Sequence, residues 1–508
     1  TGEFYFGTSG EFSIGIDRVL GLTLCPGKQG PSYFGDPWER DLGLDMRAIV
    51  DWGPTTLVSL MEAREFPKLS VPNLGDAAEE AGLEWHHLPI PDVKIPKERF
   101  ERLWTYSGHV LRKKLRSGET IVVHCRGGLG RTGMIAARLA IEFGEAPQEA
   151  LCRVREVRKG TVETPAQEAY VLGQRASGVD ERYADRVLGC LLGGAVGDAL
   201  GYAVEFLSLH AIRERFGPEG IREPALNTAG QAIVSDDTQM TIFTAEGLTG
   251  GVARDGSIIQ SSALDAVRVA TLDWYAMQTG QPVHGGLSEY SVLRADRSRG
   301  TTCSAGCAMG AIGTPERPIN DSKGCGGVMR VAPVGLCLQL TDEEAFELAA
   351  RCAAQTHGHP SGYLSAGALA AIVRNLIDGL EPDRCADRAI EIAYRWRGAD
   401  ETVAALRRAR ELANRQSTDG AGVPVQLGRG WVGEEALAIA WYSVLVAADF
   451  GDAVRIAANH DGDSDSTASI AGQIYGAWKG LREVPHGWVR RLDALEPLAD
   501  VAGRMLVS

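Results

Sequence analysis

One segment, IVVHCRGGLGRTG at residues 121–133, constrains the fold of this chain more than any other. It starts as an apolar run typical of a strand, passes through a glycine-rich loop, and continues into a helical pattern. Residues 56–60, TLVSL, have the same strand-like character, and residues 99–115 have helical spacing. Alternating strands and helices pack as an α/β layer around a mostly parallel sheet. We therefore predict an α/β fold for this part of the chain.

The pattern changes near residue 180. Beyond it, Ala-rich and Leu-rich stretches with helical spacing follow one another, and strand-like alternation is scarce, which predicts an all-α domain. Examples are residues 343–355, 365–376 and 434–448. A chain of 508 residues is also too long for one hydrophobic core. We predict a multi-domain chain, with an α/β domain at 1–176, a short polar linker at 177–185 and an all-α domain at 186–508.

Composition excludes several classes of protein. The formal net charge is -14, with acidic and basic residues mixed along the chain, so generic binding to duplex nucleic acid is not expected. The ten cysteines lack the paired spacing of a disulfide framework, apart from Cys303 and Cys307, which favours a reducing, cytoplasmic location. No signal-peptide pattern opens the sequence. The most apolar run, at 187–204, is interrupted by Asp198 and rich in glycine, so it predicts a buried helix and no membrane partner.

The glycine-rich loop has the chemistry of an oxyanion site. Five residues separate Cys125 from Arg131, which lets the loop curl around one tetrahedral anion. The glycines that allow backbone N–H groups to point inward are Gly127, Gly128 and Gly130. The helix N-terminus adds a positive field, and Arg131 can hold two phosphate oxygens. That field also stabilises a thiolate, so Cys125 is predicted to attack phosphorus, with Thr132 donating a hydrogen bond to the leaving thiolate.

The same loop contains a competing pattern. Gly128, Gly130 and Gly133 form a GxGxxG motif between a strand and a helix, which is also the fingerprint of dinucleotide-binding proteins. No acidic residue closes a second strand about 20 positions further on, as that fingerprint requires. A dinucleotide site would also leave Cys125 and Arg131 without a role. The cysteine-phosphatase interpretation is therefore preferred.

Residues 15–175 resemble the dual-specificity branch of the protein tyrosine phosphatases, through HCRGGLGRTG, the upstream LPIPDVKIP and the downstream ETPAQEAYV. The resemblance implies a cysteine-dependent phosphatase without a cofactor. The family's general acid matches Asp92, which would protonate the leaving oxygen, an effect worth about 10²–10⁴-fold. The alternative for Asp92 is a turn residue between two prolines. Gln167 lies where the family orients the hydrolytic water, although a surface position on a helix fits it equally well.

Three segments of the second domain are rich in acidic and hydroxyl side chains. SDDTQMT and HDGDSDSTASIAG lie far apart in the sequence, and YAVEF contributes Glu205. Such oxygen donors fit hard divalent cations, and two facing clusters could hold two ions and activate a water. DGDSDS does not complete an EF-hand loop, because the glycine and the glutamate that the loop needs are missing. On spacing alone, helix capping by Asp and Ser remains an equal alternative.

The region from residue 183 to the end resembles the ADP-ribosylglycohydrolase family, which includes the dinitrogenase-reductase-activating glycohydrolase. The matching pieces occur in the family order: GCLLGGAVGDALGYAVEF, SDDTQMT, GCGGVMRVAPVGL, THGHPSGYLSAGALA, WVGEEALAIAWY and GDSDSTASIAG. The resemblance implies an all-α fold and a centre of two Mg²⁺ or Mn²⁺ ions. The metal ligands that it implies are Ser235, Asp236, Asp237, Asp463, Asp465 and Ser466. Many members have Thr at the two serine positions, and the hydroxyl is retained.

The same resemblance implies which residues contact ADP-ribose. Glu205 matches the acidic residue near the scissile bond. The loop that lies against the ADP-ribose phosphates contains Gly326, Gly327 and Val328. Cys325 stands where many members have Asn, and Arg330 is expected to pack beneath this loop. His357 matches a residue that contacts ribose or phosphate, with a helix cap as the alternative, and Asp198 is expected to be structural.

These features predict a bifunctional hydrolase, in which a phosphomonoester phosphatase precedes a metal-dependent ADP-ribosyl hydrolase. The expected partners are phosphorylated and ADP-ribosylated proteins or nucleic-acid ends, and ADP-ribose itself. The two activities would act in sequence on one target. Two alternatives remain. The domains could act independently in signalling, as a protein phosphatase and in protein de-ADP-ribosylation, or one of them could only bind ADP-ribose or phosphate.

Overall fold

The structure is a computed structural model. It describes residues 10–13, 19–31, 36–251, 258–283, 286–415 and 422–507. The chain divides into two compact units, Thr1–Val179 and Asp180–Ser508, and each is described by itself.

The first unit contains a five-stranded sheet and a two-stranded ribbon. The strands are β1 (Gly10–Ser13), β2 (Val19–Leu24), β3 (Gln29–Gly30), β4 (Trp38–Glu39), β5 (Thr56–Ser59), β6 (Glu84–His87) and β7 (Ile121–Cys125). The order in the sheet is β1-β2-β7-β5-β6, and β3 pairs with β4 in the ribbon. All pairs in the sheet are parallel except β1 with β2. The mostly parallel sheet is therefore confirmed.

Strand β7 lies in the middle of this sheet, and all five of its residues are buried. Its register places Leu24 beside Cys125 on one side and Ser59 beside His124 on the other. In open α/β sheets, ligands bind in the crevice beyond the carboxyl ends of the strands. The loop that follows Cys125 therefore leaves the sheet at the edge where a ligand is expected.

The helices of the first unit follow the predicted alternation with strands. They are α1 (Leu42–Trp52), α2 (Leu74–Glu80), α3 (Glu98–Arg116), α4 (Gly130–Glu142), α5 (Pro147–Val157) and α6 (Pro165–Leu172). Short 3₁₀ turns lie at Ala63–Glu65 and Pro67–Leu69. The helix predicted at 99–115 is α3. Helix α4 begins inside the glycine-rich loop, so its N-terminus faces the expected anion.

The second unit is helical. Its helices are α7 (Glu181–Tyr202), α8 (Leu209–Phe216), α9 (Asp236–Gly250), α10 (Gln260–Gln278), α11 (Thr301–Ala308), α12 (Ala332–Leu336), α13 (Asp342–Ala354), α14 (Pro360–Ile377), α15 (Pro382–Ala393), α16 (Asp400–Arg415), α17 (Gly433–Val446), α18 (Phe450–Ala458), α19 (Ser464–Lys479), α20 (His486–Val489) and α21 (Leu495–Val507). Within the described part of this unit, β pairing is limited to isolated bridges. The predicted all-α fold is confirmed.

The predicted linker differs from the structure at its end. Asp180 caps α7 by accepting hydrogen bonds from the N–H groups of Arg182 and Tyr183, so residues 181–185 are already helical. The aspartate and the helix-forming run behind it outweigh the polar character of the segment. The limits of the two domains otherwise stay a prediction. No helix formed by the described residues is both long and apolar enough to span a bilayer.

Glycines bring two helices of the second unit into backbone contact. Every fourth residue along one face of α7 is glycine: Gly189, Gly193, Gly197 and Gly201. A Cβ atom at any of these positions would collide with backbone carbonyls of α19. Only glycine permits so close an approach. As a result, the C-terminal end of α7 lies directly beside the first turn of α19.

Candidate active sites

The glycine-rich loop of the first unit wraps around the thiol of Cys125. The Gly128 N–H donates a hydrogen bond to Cys125 Sγ at 3.2 Å. Gly128 has a φ of +70°, and a Cβ there would collide with the Thr23 carbonyl, so this position requires glycine. Behind the loop, His124 Nε2 lies 2.6 Å from Ser59 Oγ. Burial lowers the pKa of His124 to about 3, so its neutral ring links β7 to β5.

Arg131 is held in place by a carboxylate that the sequence did not reveal. Its guanidinium, 2% exposed, donates to both oxygens of Glu65, at 2.6 and 3.0 Å, and to the Ile90 carbonyl at 3.0 Å. Burial tends to raise the pKa of Glu65, but the hydrogen bonds and charge of Arg131 lower it overall. Glu65 therefore fixes the plane of the guanidinium from the side. The sequence gives one weak signal for this contact with Arg131: an acidic residue in the segment MEAREF, shortly after an apolar strand.

Asp92 lies beside Arg131. Its Oδ1 accepts a hydrogen bond from Arg131 Nη2 at 2.9 Å, and its Oδ2 lies 3.9 Å from Arg126 Nη1. The side chain is 48% exposed, so it borders the solvent side of the loop. Asp92 Oδ1 also accepts from the N–H of Val93, whose φ is +56°. Asp92 therefore accepts a hydrogen bond within its own turn, from Val93, and another from Arg131 of the loop.

Behind the loop, the segment that follows α5 contributes two side chains. Gln167 is fully buried, which excludes the surface interpretation. Its Oε1 accepts from the Glu163 N–H at 2.9 Å, and its Nε2 donates to the Lys94 carbonyl at 3.3 Å. Glu163, which the sequence analysis missed, accepts from the Gly130 N–H of the loop at 2.8 Å.

Thr132 Oγ1 is buried and has no hydrogen-bond partner among the described residues.

The second unit gathers most of the predicted ligands around one cavity of about 320 Å³. Helices α9 and α19 both start there, with Ser235 and Asp463 as their capping residues. The predicted residues that line the cavity are Glu205, Asp236, Asp237, Gly326, His357, Asp463, Asp465 and Ser466. The contact between α7 and α19 explains how Glu205 reaches the acidic segment at the start of α19, which is far away in the sequence.

Three predicted residues do not line the cavity. Ser235 is buried, and its Oγ accepts the Asp237 N–H at 3.2 Å, as the capping alternative expected. A Cβ at Gly327 would touch the Gly362 carbonyl, so this glycine packs against α14. Val328 is fully buried. The loop therefore meets the cavity through its first residues.

The carboxylates around the cavity raise one another's pKa values. Burial and then the charge of Asp465 raise the pKa of Glu205, to about 9. Burial raises the pKa of Asp237 well above its usual range, and the charged neighbours that add to this rise are all carboxylates, beginning with Asp465 and Asp236. The pKa of Asp463 is raised in the same way. Packing these groups together is unfavourable unless protons or cations compensate their charge.

The cluster fits divalent cations. Asp237 Oδ2 and Glu205 Oε2 are buried atoms without a hydrogen-bond partner among the described residues. Buried carboxylate oxygens normally have partners, and the donors here are the oxygen ligands that Mg²⁺ and Mn²⁺ prefer. Asp198, by contrast, accepts from the N–H groups of Ser235 and Thr238 and anchors the start of α9, in agreement with the structural role expected for it.

His357 and Arg330 support the cavity from below. His357 is buried, and its Nδ1 lies 2.8 Å from Thr356 Oγ1; burial lowers its pKa to about 3, so the ring is neutral. The helix cap that was its alternative role belongs to His359, whose ring accepts from the Ser361 N–H. Arg330 donates to the Gly326 carbonyl at 2.8 Å, beneath the loop as expected.

Two aromatic residues at the cavity were not predicted. Phe206 and Trp431 stack with ring centroids 5.5 Å apart and planes 20° apart. They remain 69% and 40% exposed, and both line the cavity. Phe206 also has a φ of +65°, a strained conformation for a bulky residue. Such a pair next to Glu205 offers a flat apolar surface to a bound substrate.

Comparison with known proteins finds a match for each of the two domains. The model of the ADP-ribosylglycohydrolase family matches residues 179–507, and that of a polymorphic toxin system DSP-PTPase phosphatase matches residues 36–145. The chain is 30% identical to cyclin-dependent kinase inhibitor 3 of Rattus norvegicus over 166 residues, which cover 31% of this chain and 72% of that protein. It is 25% identical to ADP-ribosyl-[dinitrogen reductase] glycohydrolase of Rhodospirillum rubrum over 316 residues, 61% of this chain and 90% of that one.

A third relative has a related activity in its name. The chain is 25% identical to ADP-ribosylarginine hydrolase Tri1 of Pseudomonas putida over 345 residues, which cover 66% of this chain and 82% of that protein. Both matched domains are of hydrolase families. The chain belongs to the ADP-ribosylglycohydrolase family, and a DSP-PTPase phosphatase domain precedes its glycohydrolase domain.

Proposed function

We propose that the second domain hydrolyses the bond between ADP-ribose and its acceptor with the help of two divalent cations, Mg²⁺ or Mn²⁺. The observation that carries this proposal is the convergence of buried carboxylates from α9 and α19 on one cavity. Asp236, Asp237, Asp463 and Asp465, with nearby serine hydroxyls, would hold the ions. When bound, such ions supply electrophilic polarisation of the ribose and of the attacking water.

The remaining cavity residues would bind and orient the substrate. Glu205 Oε2 has no hydrogen-bond partner among the described residues. Glu205 would accept a proton from the attacking water or donate one to the leaving acceptor. Gly326 lines the cavity and would present its backbone to an ADP-ribose phosphate, and His357 lies next to it as a neutral hydrogen-bonding group. The stacked Phe206 and Trp431 would contact a flat part of the substrate.

In the first domain, we propose that Cys125 Sγ attacks the phosphorus atom of a phosphomonoester. The bond between phosphorus and the ester oxygen breaks, and Asp92 gives its proton to that oxygen. Arg131, fixed by Glu65, holds two of the remaining phosphate oxygens. Water then hydrolyses the thiophosphoryl group and restores the thiol. Thr132 would stabilise the departing sulfur.

We further propose that the two activities act in sequence on targets that carry both modifications. The two catalytic domains lie on one chain, with residues 173–180 between α6 and α7. Removal of ADP-ribose from a phosphate exposes a monoester, which is the substrate that Cys125 needs. Candidate targets are proteins and nucleic-acid ends. The location of the protein in a reducing, cytoplasmic compartment is part of this proposal.

A substrate panel tests the order of the two steps. An RNA end capped by ADP-ribose through its phosphate, an ADP-ribosyl-arginine peptide and phosphopeptides are incubated with Mn²⁺ and each variant. Wild type is expected to release ADP-ribose and then phosphate from the capped RNA. Cys125→Ser should stop after ADP-ribose, and the double variant Asp236→Ala, Asp237→Ala should release neither product. Cleavage of the peptides alone would support two independent activities and contradict the sequence of steps.

A further inference from the structure

The thiol of Cys325 lies among the oxygen atoms expected to bind cations. The residue starts the 3₁₀ turn Cys325–Gly327 and lines the same cavity as the carboxylates. The Cys325 thiol donates a hydrogen bond to Asp463 Oδ2 at 2.7 Å, and the Ser466 hydroxyl donates to the Cys325 sulfur at 3.6 Å. The sulfur therefore lies where a further metal ligand could be, next to the side chains that α19 contributes to the cluster.

A second observation points to a ligand at this place. Asp237, on the wall formed by α9, is 2% exposed, and its Oδ2 has no hydrogen-bond partner among the described residues. It lines the cavity together with Cys325 and Asp463. A buried, unpartnered carboxylate oxygen is costly unless something else occupies the space in front of it. The two walls thus present sulfur and oxygen donors to a shared space.

The backbone holds the sulfur in this position. The Cys325 N–H donates to the Trp431 carbonyl at 3.3 Å, and its own carbonyl accepts from the N–H groups of Val328 and Met329 at 2.9 and 3.2 Å. A cysteine side chain has one rotatable bond before its sulfur, so a fixed backbone leaves the atom little freedom. Pre-organised donors of this kind favour metal binding.

Cysteines that are buried in the second unit have different surroundings from the half-buried Cys325. Cys307 and Cys337 direct their thiols at backbone carbonyls of Thr271 and Pro333 within helical packing. These contacts are typical of small core residues. The carboxylate and hydroxyl neighbours of Cys325 are not explained by core packing.

We propose that Cys325 supplies a sulfur ligand to the divalent-cation centre and makes it bind borderline and soft ions, such as Co²⁺, Zn²⁺ and Cd²⁺, more tightly than an all-oxygen centre would. Thiolate ligands select softer metals, whereas Mg²⁺ prefers oxygen. On binding, a bond forms between sulfur and the ion, and the thiol proton passes to solvent. The inference rests on the proposed cation centre. It implies that Zn²⁺ competes with Mg²⁺ or Mn²⁺ for this chain.

Optical titration of the metal-free chain tests the sulfur ligand directly. The full chain carries Cys125→Ser throughout, which removes the phosphatase thiol. Cd²⁺ is added, and the ultraviolet charge-transfer band from sulfur to cadmium is followed; Co²⁺ serves as a second probe. The expected result is a saturable band that is absent in Cys325→Ser and Cys325→Asn. The matched control Cys152→Ser, which removes an exposed thiol elsewhere, should keep the band.

The affinities give a second readout. Loss of outer-shell partners already lowers metal affinity by about 10–100-fold, so loss of a direct ligand should weaken Cd²⁺ binding by at least about tenfold. Mg²⁺ or Mn²⁺ binding should persist in Cys325→Asn, which also shows that the variant is folded. A band that survives in both Cys325 variants would overturn the sulfur ligand alone. A chain that binds neither Mn²⁺ nor Cd²⁺ would overturn the cation centre itself.

Discussion

Replacement of Glu65 by alanine is expected to lower both the stability and the activity of the phosphatase domain. The substitution removes two charge-assisted hydrogen bonds, at 2.6 and 3.0 Å, from a guanidinium that is 2% exposed. Removal of one partner from a buried ion pair costs about 3–5 kcal/mol. Arg131 keeps Asp92 and the Ile90 carbonyl, so we expect the lower end, about 3 kcal/mol. Glu65→Gln retains an acceptor and should lose about 1–2 kcal/mol.

The activity should fall because Arg131 loses its orientation. A displacement of about 1 Å in a positioned group can cost about 10²-fold, so kcat/KM of Glu65→Ala for an aryl phosphate is expected to drop by about 10–100-fold. Glu65→Gln should lie between this variant and wild type. The ADP-ribosyl hydrolase activity of the same chain, which depends on the other domain, should not change and serves as an internal control.

Thermal unfolding measured with and without tungstate identifies the transition of the phosphatase domain, because an oxyanion that binds the folded loop raises its Tm. A loss of about 3 kcal/mol corresponds to a fall of roughly 6–12 °C for a domain of this size. Glu168→Gln is a matched control, since the side chains of the pair between Arg155 and Glu168 are 39% and 41% exposed and such a pair is worth about 0–1 kcal/mol. A Glu65→Ala variant with the Tm and kcat/KM of wild type would refute the reasoning.

The contribution of Glu65 to the stability of the phosphatase domain should change with pH in a defined direction. The pKa of Glu65 is lowered in the folded chain, against about 4.3 for an unperturbed glutamate. Its contribution to stability is therefore complete above about pH 4.3 and is lost as the pH falls through the lower, folded-state pKa. The Tm difference between wild type and Glu65→Gln should accordingly shrink in acid. A difference that grows toward low pH would contradict the ion pair.

Three further predictions concern single substitutions. Asp92→Asn should lower kcat by about 10²–10⁴-fold for alkyl phosphates and by less for esters of acidic phenols, as steady-state kinetics on both would show. Gly197→Ala should cost about 1–3 kcal/mol in the second domain by chemical denaturation, because its methyl group meets the backbone of α19. Trp431→Ala should raise KM for an ADP-ribosylated peptide by about 2–12-fold with less effect on kcat, the equivalent of about 0.5–1.5 kcal/mol from an aromatic contact; an unchanged KM would exclude the substrate contact.

Local patterns allowed the secondary structure around the first candidate site to be predicted. Cys125, Arg131 and the intervening glycines lie within one loop, so strand, loop and helix could be inferred together. Glu65 and Glu163 could not, because their contacts with that loop depend on how distant segments pack. Gln167 shows the same limit in part. Its hydrogen bond from the Glu163 N–H is local to the start of α6, whereas its burial and its hydrogen bond to the Lys94 carbonyl follow from tertiary structure.

The spacing of acidic residues in the sequence was not enough to predict the second site. Acidic residues near helix starts are compatible with capping alone, and Ser235 and Asp463 do cap α9 and α19. What distinguishes the site is the convergence of these two helix ends, which depends on the glycine face of α7. The glycine-rich run predicted a buried helix, but its contact with α19 was not predicted from the sequence. The stacking of Phe206 on Trp431 joins residues too far apart to be paired by any local pattern.

The most direct test of the account is a comparison of the two activities in variants of each site. ADP-ribose release from an ADP-ribosyl-arginine peptide and hydrolysis of an aryl phosphate are measured on one preparation, before and after removal of divalent ions by a chelator. The chelator and the double variant Asp236→Ala, Asp237→Ala should abolish only ADP-ribose release, Cys125→Ser should abolish only phosphate release, and the exposed Asp461→Asn should retain both. Release of ADP-ribose that survives both the chelator and the double variant would contradict the account.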